Sequence, residues 1–290
     1  MNTTPINFLG LEPPHSDYAT AQFAVLPVPY DSTTSYQTGT RGGPDAIIGA
    51  SRQVELFDEE TGLEAYKAGV ATLPGVEPNM AGPDRMHEDI FKAAKRAVRD
   101  GKFLFGLGGD HSITSGFVRA VMTRHKKLSV LQIDAHSDLR NAYQGTPFSH
   151  ASVMRRVVDM GATIAPLGIR SISLEEHRFM RKAGIDPVTA RDCHLDEDWV
   201  DRVMSMLGDT VYVTIDIDGF DPAYAPGTGT PEPGGLDWYQ VTGLLQLVAA
   251  EKQIVGADIV EVMPIPGQAV TEFLAARLAY KLMRYVQASS

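Results

Sequence analysis

Val130-Leu131-Gln132-Ile133 runs straight into Asp134-Ala135-His136-Ser137-Asp138, and Val211-Tyr212-Val213-Thr214-Ile215 runs into Asp216-Ile217-Asp218. Each is a short apolar run closed by carboxylate or imidazole side chains at alternate positions. In an extended strand, residues i, i+2 and i+4 share a face, so the donors of each string can converge on one point. A third run, Phe103-Leu104-Phe105-Gly106-Leu107, ends in Gly108-Gly109-Asp110-His111 and brings a further imidazole.

Outward from these strings, short apolar runs alternate with segments of helical period along the whole chain, the pattern of a parallel sheet flanked by helices. About eight strands are expected: Phe23 to Val28, Ala68 to Leu73, Phe103 to Leu107, Leu128 to Ile133, Ile164 to Ile169, Pro187 to Ala190, Val211 to Ile215 and Ile254 to Val260. Between them, Met86, Ile90, Ala94 and Val98 form one helical stripe, and Leu244 to Ala250 follows a candidate cap at Asp237. The long irregular stretches, Tyr30 to Pro44 and Phe220 to Leu236, are rich in Gly, Pro, Ser and Thr, and loops of that length are commonly functional. In open parallel sheets, ligands bind beyond the carboxyl ends of the strands. His111, the Asp134 string and the Asp216 pair all fall there.

The 290 residues are read as one α/β domain, with residues 1–22 as an N-terminal extension. Hydrophobic content of 43% and charged content of 21% are those of a globular protein with a sizeable core. A formal net charge of -10 argues against nucleic acid or an anionic membrane as partner, and it is compatible with a cationic substrate. Cys193 is the single cysteine, so there is no intrachain disulfide and no thiolate cluster, which fits a reducing cytoplasm. The start, Met1-Asn2-Thr3-Thr4-Pro5, lacks a signal-peptide pattern, and no apolar stretch approaches a membrane span.

His111, Asp134, His136, Asp138, Asp216 and Asp218 are oxygen and nitrogen donors without sulfur, a set that favours Mn²⁺ or a similar ion over structural zinc. Six ligands exceed the needs of one catalytic zinc. They suit two ions bridged by one or two carboxylates, and a pair of ions about 3.5 Å apart can acidify a shared water and make it a nucleophile. The chemistry expected is hydrolysis. Gly106-Leu107-Gly108-Gly109 lacks the spacing of a dinucleotide site or a P-loop, so the glycines are read as permitting close backbone approach to the metal centre and a sharp turn into a helix near Ser112.

The chain resembles the ureohydrolases, the arginase and agmatinase family. Gly108-Gly109-Asp110-His111-Ser112, Asp134-Ala135-His136-Ser137-Asp138 and Thr214-Ile215-Asp216-Ile217-Asp218-Gly219-Phe220-Asp221-Pro222 match its three metal motifs in order. Pro29-Tyr30-Asp31-Ser32-Thr33-Thr34 to Arg41-Gly42-Gly43-Pro44 resembles its N-terminal loop, and the stretch from Ala225 to Leu236 is particularly similar to agmatinases. The resemblance implies a three-layer α/β/α sandwich, two Mn²⁺ per subunit and a homotrimer or homohexamer. It further implies that His111 and Asp138 hold one ion, His136 and Asp218 the other, with Asp134 and Asp216 bridging. By the same likeness, His150 in Phe148-Ser149-His150-Ala151 shuttles a proton together with Asp138, and Glu261 pairs with the substrate guanidinium. A carboxylate accepts the parallel donors of a guanidinium bidentately, so the physics of Glu261 agrees. Without the resemblance, His150 reads as a cap for a helix starting at Ala151, and His15, His87, His125, His177 and His194 read as surface or helix residues.

The implied reaction is hydrolysis of agmatine, a small cationic guanidino compound, to urea and putrescine. A guanidino acid such as 4-guanidinobutyrate is the rival, because Arg140 could pair with its carboxylate. Arginase activity is a weaker option, since Leu139-Arg140-Asn141-Ala142-Tyr143 aligns poorly with the arginase carboxylate site. Met263 before Pro264, and Ile265-Pro266-Gly267-Gln268 after it, depart from the family pattern and bear on substrate preference. Two other classes are weighed: a phosphate-ester hydrolase, for which the extra His, Asn and basic residues are missing, and a non-catalytic metal-dependent binding protein, which His150 and Glu261 argue against.

Overall fold

The computed structural model describes residues 5–289. Eight strands form one sheet: β1 (Phe23–Val28), β2 (Val70–Thr72), β3 (Phe103–Gly108), β4 (Ser129–Ile133), β5 (Thr163–Ile169), β6 (Val188–Thr189), β7 (Thr210–Asp216) and β8 (Gln253–Val260). Their order is β2-β1-β3-β8-β7-β4-β5-β6, and every pairing is parallel. Nine α-helices connect them among the described residues: α1 (Gly43–Ser51), α2 (Pro83–Arg99), α3 (Thr114–Val121), α4 (Val153–Asp159), α5 (Leu174–Ala183), α6 (Ala190–Leu195), α7 (Trp199–Met206), α8 (Trp238–Glu251) and α9 (Val270–Ala288).

Strand alternation divides the core into two layers. Val25, Phe105, Leu131 and Val213 pack on one face with Ile47 of α1, Leu244 of α8 and Leu278 of α9. Their neighbours Leu26, Leu104, Val130 and Tyr212 pack on the other with Ile90 of α2, Phe117 of α3 and Met154 of α4. Because both faces are covered, the strands read as nearly continuous apolar runs, which is why they are visible in the sequence. The result is the expected three-layer sandwich.

Differences from the sequence reading lie at element ends. β2 is shorter than Ala68 to Leu73 because Ala65–Ala68 forms a 3₁₀ turn closed by Gly69 at φ 79°. The strand expected over Pro187 to Ala190 shrinks to Val188–Thr189, since the Thr189 hydroxyl caps α6 and Asp192 reciprocates. Leu244 to Ala250 is the second half of α8, whose first turn is fixed by the reciprocal cap of Asp237 and Gln240. Of the N-terminal extension, residues 1–4 lie outside the described residues. The remainder is packed rather than pendant: Phe8, Leu9 and Leu11 are buried in the core layer of α1, and Leu9 N–H donates to Ser51 Oγ at 2.8 Å. No helix among the described residues is long and apolar enough to cross a membrane.

The strand order also has a functional consequence. β3 and β4 are consecutive in the chain, yet β8 and β7 lie between them. Four strand ends that are distant in sequence thus stand side by side at the centre of the sheet, where a break in winding order leaves a crevice. On the flank of this group, Gly106 of β3 has no room for a side chain: a Cβ there would lie 2.6 Å from the Phe117 ring and 2.9 Å from Asp258 Cβ. Gly106→Ala is therefore expected to destabilise the protein by about 1–3 kcal/mol through overpacking, measured as a lowered urea midpoint at unchanged slope.

Candidate metal centre

The four central strands deliver the site. β3 ends beside His111, β8 beside Glu261, β7 in Asp216 with Asp218 in the next turn, and β4 opens into Asp134, His136 and Asp138. Two groups of ligand atoms, His111 with Asp134 and Asp216, and Asp134 with His136 and Asp218, each gather within 4.8 Å and share Asp134. Asp138 joins them, its Oδ2 lying 3.1 Å from His111 Nδ1. The six candidates named from sequence thus converge on one place.

His111 shows what that place is suited to hold. Thr214 Oγ1 donates to Asp258 Oδ1 at 2.6 Å, so it accepts from His111 Nε2–H at 2.9 Å. The proton of the neutral ring is thereby fixed on Nε2, and the Nδ1 lone pair faces the cluster. Nδ1 has no directed hydrogen bond, although carboxylate oxygens of Asp134, Asp138 and Asp216 stand 3.2, 3.1 and 3.4 Å away. A lone pair facing three anionic oxygens in a buried site calls for a proton or a metal cation between them. Although burial opposes it, Asp134, Asp138 and Asp216 raise His111 well above the ordinary imidazole range, which supplies the proton when no metal is bound. The donor set fits divalent ions of the manganese type.

The electrostatics agree. Asp138 is pushed up to about 6 by burial and then by the charge of Asp134. Burial likewise lifts Asp216 and Glu261 well above the usual carboxylate range, reinforced by Asp218 and Asp134 for the former and by Asp216 and Asp110 for the latter. His136 rises to about 12, because Asp218 and Asp134 outweigh its burial. Asp134 also overcomes a burial penalty and stays low, held by His111 and His136. Without metal, protons are drawn into the cluster in place of cations.

Two of these residues carry backbone strain. Asp138 and Glu261 adopt the left-handed region at φ 52° and 62°, a cost of order 1–3 kcal/mol for each. The Asp138 carbonyl accepts from Met154 and Arg155 N–H at the start of α4, and Glu261 N–H donates to Gly109 O, so neighbouring elements hold both turns. Glu261 Oε1 accepts from His111 N–H at 2.8 Å.

His150 lies in a 3₁₀ turn, His150–Ser152, and does not begin a helix at Ala151; α4 starts at Val153. Its N–H donates to Thr33 Oγ1 at 3.0 Å, and Thr33 N–H and Oγ1 both donate to Asp110 Oδ2 at 2.9 Å. The N-terminal loop therefore ties His150 to the residue preceding His111. An Asp31–Arg41 ion pair, with Oδ1 2.5 Å from Arg41 Nη2, braces the same loop. Met263 forms part of the outer wall, its N–H bonded to Gly227 O and its side chain against Gly39. Arg140 is already engaged, with its guanidinium 5.0 Å from the Tyr143 ring centre and 4.0 Å from Glu176. Among the other histidines, His87 sits on α2 but turns inward against Phe148 and Ser115 Oγ, and burial lowers it to about 4.

Asp258, Thr214 and Gln132, which carry no assigned role in the sequence, form a buried polar row beneath the cluster. Gly106, Asp258, Thr214 and Gln132 are successive register partners across β3, β8, β7 and β4. Tyr212 Oη donates to Asp258 Oδ2 at 2.7 Å, and Gln132 Nε2 donates to Asp134 Oδ2 at 2.8 Å. The available signal was a polar residue inside an otherwise apolar strand, such as Asp258 between Ala257 and Ile259.

A parallel sheet between helical layers, with oxygen and nitrogen donors clustered at its central strand ends, defines a metal-dependent α/β hydrolase. The chain belongs to the arginase family, whose model matches residues 21–284. It is 40% identical over 278 residues to an N(1)-aminopropylagmatine ureohydrolase of Synechocystis sp., covering 93% of this chain and 90% of that one. It is 36% identical over 276 residues to an agmatinase of Pyrococcus horikoshii, with coverages of 93% and 94%. Among solved structures, the agmatine ureohydrolase of Thermoplasma volcanium superimposes with a TM-score of 0.85 at 33% identity, covering 93% and 91% of the two chains. The protein is accordingly a hydrolase of guanidino C–N bonds, of the agmatinase type.

Thr214→Val keeps the shape but leaves His111 Nε2–H and Asp258 Oδ1 each short of a partner. A loss of about 1–3 kcal/mol is expected in urea denaturation of chelator-treated protein, with metal affinity lowered about 10–100-fold in a competition titration. The raised carboxyls set the pH response of the metal-free protein. Asp138, at about 6 when folded and near 3.9 when unfolded, binds more protons in the folded state between those values, so stability falls as pH rises through that window. Urea midpoints after chelation should be higher at pH 4 than at pH 7, whereas the gain on adding metal should grow with pH.

Proposed function

We propose that the protein hydrolyses agmatine to urea and putrescine at a two-metal centre formed by His111, Asp134, His136, Asp138, Asp216 and Asp218. The observation that carries this reading is an uncompensated charge. Asp134, Asp138, Asp216, Asp218, Asp110, Asp258 and Glu261 are all buried together, and among the described residues the basic groups that pair with them within 4.0 Å are the imidazoles of His111 and His136. Such a site selects cations, both as cofactor and as substrate. Bound divalent ions supply water acidic enough to act as a nucleophile near neutral pH.

The chain's own residues do the rest. Glu261 directs its carboxylate at the cluster from the end of β8 and takes the guanidinium through parallel charge-assisted hydrogen bonds, which fixes the carbon for attack. His150, tethered by Thr33 and standing edge-on to Tyr143 at 5.7 Å, gives a proton to the departing amine, with Asp138 as its relay partner. Engagement of Arg140 by Tyr143 and Glu176 favours a cationic tail over the carboxylate of 4-guanidinobutyrate. A second reading, N1-aminopropylagmatine as substrate, is favoured by the 40% identity to a protein of that name. The proposal extends to manganese as the ion, to a cytoplasmic role in polyamine biosynthesis, and to a homotrimer or homohexamer, for which exposed Tyr224, Val270 and Phe273, lining one surface depression, offer an apolar face.

Urea release from Mn²⁺-loaded protein tests this directly, with agmatine, N1-aminopropylagmatine, 4-guanidinobutyrate, arginine and guanidine as substrates. Agmatine or its aminopropyl derivative should lead, and faster release from the guanidino acid overturns the substrate assignment. His150→Ala should lower turnover by about 10²–10⁴-fold with bound metal retained by elemental analysis. Glu261→Gln, which keeps an acceptor for His111 N–H, should act on kcat/KM while leaving metal content unchanged.

A further inference from the structure

We propose that Glu232 is the specificity-determining carboxylate for the cationic tail of the substrate, and that Arg170 is the residue that positions it. The assignment rests on the guanidine-hydrolase reading above and extends it to the part of the substrate that does not react.

The cluster opens on one side. Of its six residues, five are no more than 5% exposed, whereas the His136 side chain retains 26%. Its Nδ1 faces inward, 3.0 Å from Asp218 Oδ2. Its outer nitrogen, Nε2, has Glu232 Oε1 3.8 Å away. That separation is too long for a hydrogen bond, and no lysine or arginine nitrogen pairs with this carboxylate among the described residues. Glu232, 38% exposed at its side chain, is therefore an ionisable group with spare acceptor capacity at the open edge of the cluster. An ammonium group is the complement it lacks. A neutral tail gains nothing there, and an acidic tail is repelled.

A carboxylate on the long loop from Phe220 to Leu236 needs a reason to stay in place, and Arg170 supplies one. Directly after β5, its guanidinium donates, among the described residues, to backbone carbonyls. Nε bonds Pro233 O at 3.1 Å, and Nη2 bonds Glu232 O at 2.8 Å and Asp218 O at 2.6 Å. Further bonds reach the carbonyls of Gly168, Gly219 and Phe220. One side chain thus ties the turn that carries Asp218 to the segment that carries Glu232. Pro231 and Pro233 stiffen that segment from both sides. Because the guanidinium is planar with five donors, a lysine cannot reproduce the clamp.

The test compares agmatine with butylguanidine, which has the same reacting group and carbon chain but no terminal charge, using Mn²⁺-loaded wild type, Glu232→Gln, Glu232→Asp and Arg170→Lys. The measure is the ratio of kcat/KM for agmatine to that for butylguanidine. Glu232→Gln should lower the ratio about tenfold or more, as expected for loss of a charge-assisted hydrogen bond, mainly through KM for agmatine. Glu232→Asp should restore part of it. Arg170→Lys should shift the ratio in the same direction with folding checked by circular dichroism and metal content by elemental analysis. An unchanged ratio in Glu232→Gln, whether activity falls equally on both substrates or not at all, overturns the assignment while leaving the proposed function intact. Absence of urea from both substrates with wild-type protein overturns the proposed function and this assignment with it.

Discussion

A surplus of buried negative charge governs this molecule. Seven carboxyl groups meet at the centre of the sheet with two imidazoles as their basic neighbours, an arrangement whose desolvation and mutual repulsion cost more than local hydrogen bonds return. The site is consequently incomplete by itself. It draws in protons when no metal is available, as the raised Asp138, Asp216 and Glu261 show. When cations are supplied, the same repulsion becomes affinity.

The fold tolerates that repulsion because backbone and side-chain donors, among them His111 N–H on Glu261 and Thr214 Oγ1 on Asp258, surround the groups. Beneath them runs the row of Gly106, Asp258, Thr214 and Gln132, which sets the proton of His111 and anchors one oxygen of Asp134. Around them, loops from distant parts of the chain are fastened by specific bonds: Thr33 to Asp110 and His150 on one side, Arg170 to Asp218 and Glu232 on the other. The left-handed turns at Asp138 and Glu261 aim their side chains at the cluster. Catalytic geometry in such a site comes from this second set of contacts as much as from the candidate ligands themselves.

Much of this is legible in the amino-acid sequence. Fully buried parallel strands give continuous apolar runs, so eight strands could be placed to within a few residues, and the weak points were the short edge strands β2 and β6, where turn and cap chemistry overrides hydrophobicity. The donors of the cluster were readable because they are adjacent within motifs. Glu232 lies in the agmatinase-like stretch from Ala225 to Leu236 but its role was not readable there, nor was that of Arg170, because a glutamate between prolines and an arginine after a strand are also ordinary surface patterns. Asp258 was hidden in a run that reads as strand core.

The sequence by itself determined the α/β class, the strand ends that bear chemistry and the identity of the donors, since these follow from local periodicity and from residue types that carry their chemistry with them. Only the tertiary structure decided which strand ends are neighbours. The insertion of β8 and β7 between β3 and β4 is a long-range choice made by packing two apolar faces at once. It alone brings His111, Asp134, Asp216 and Glu261 together, because no local rule relates residues that far apart in the chain.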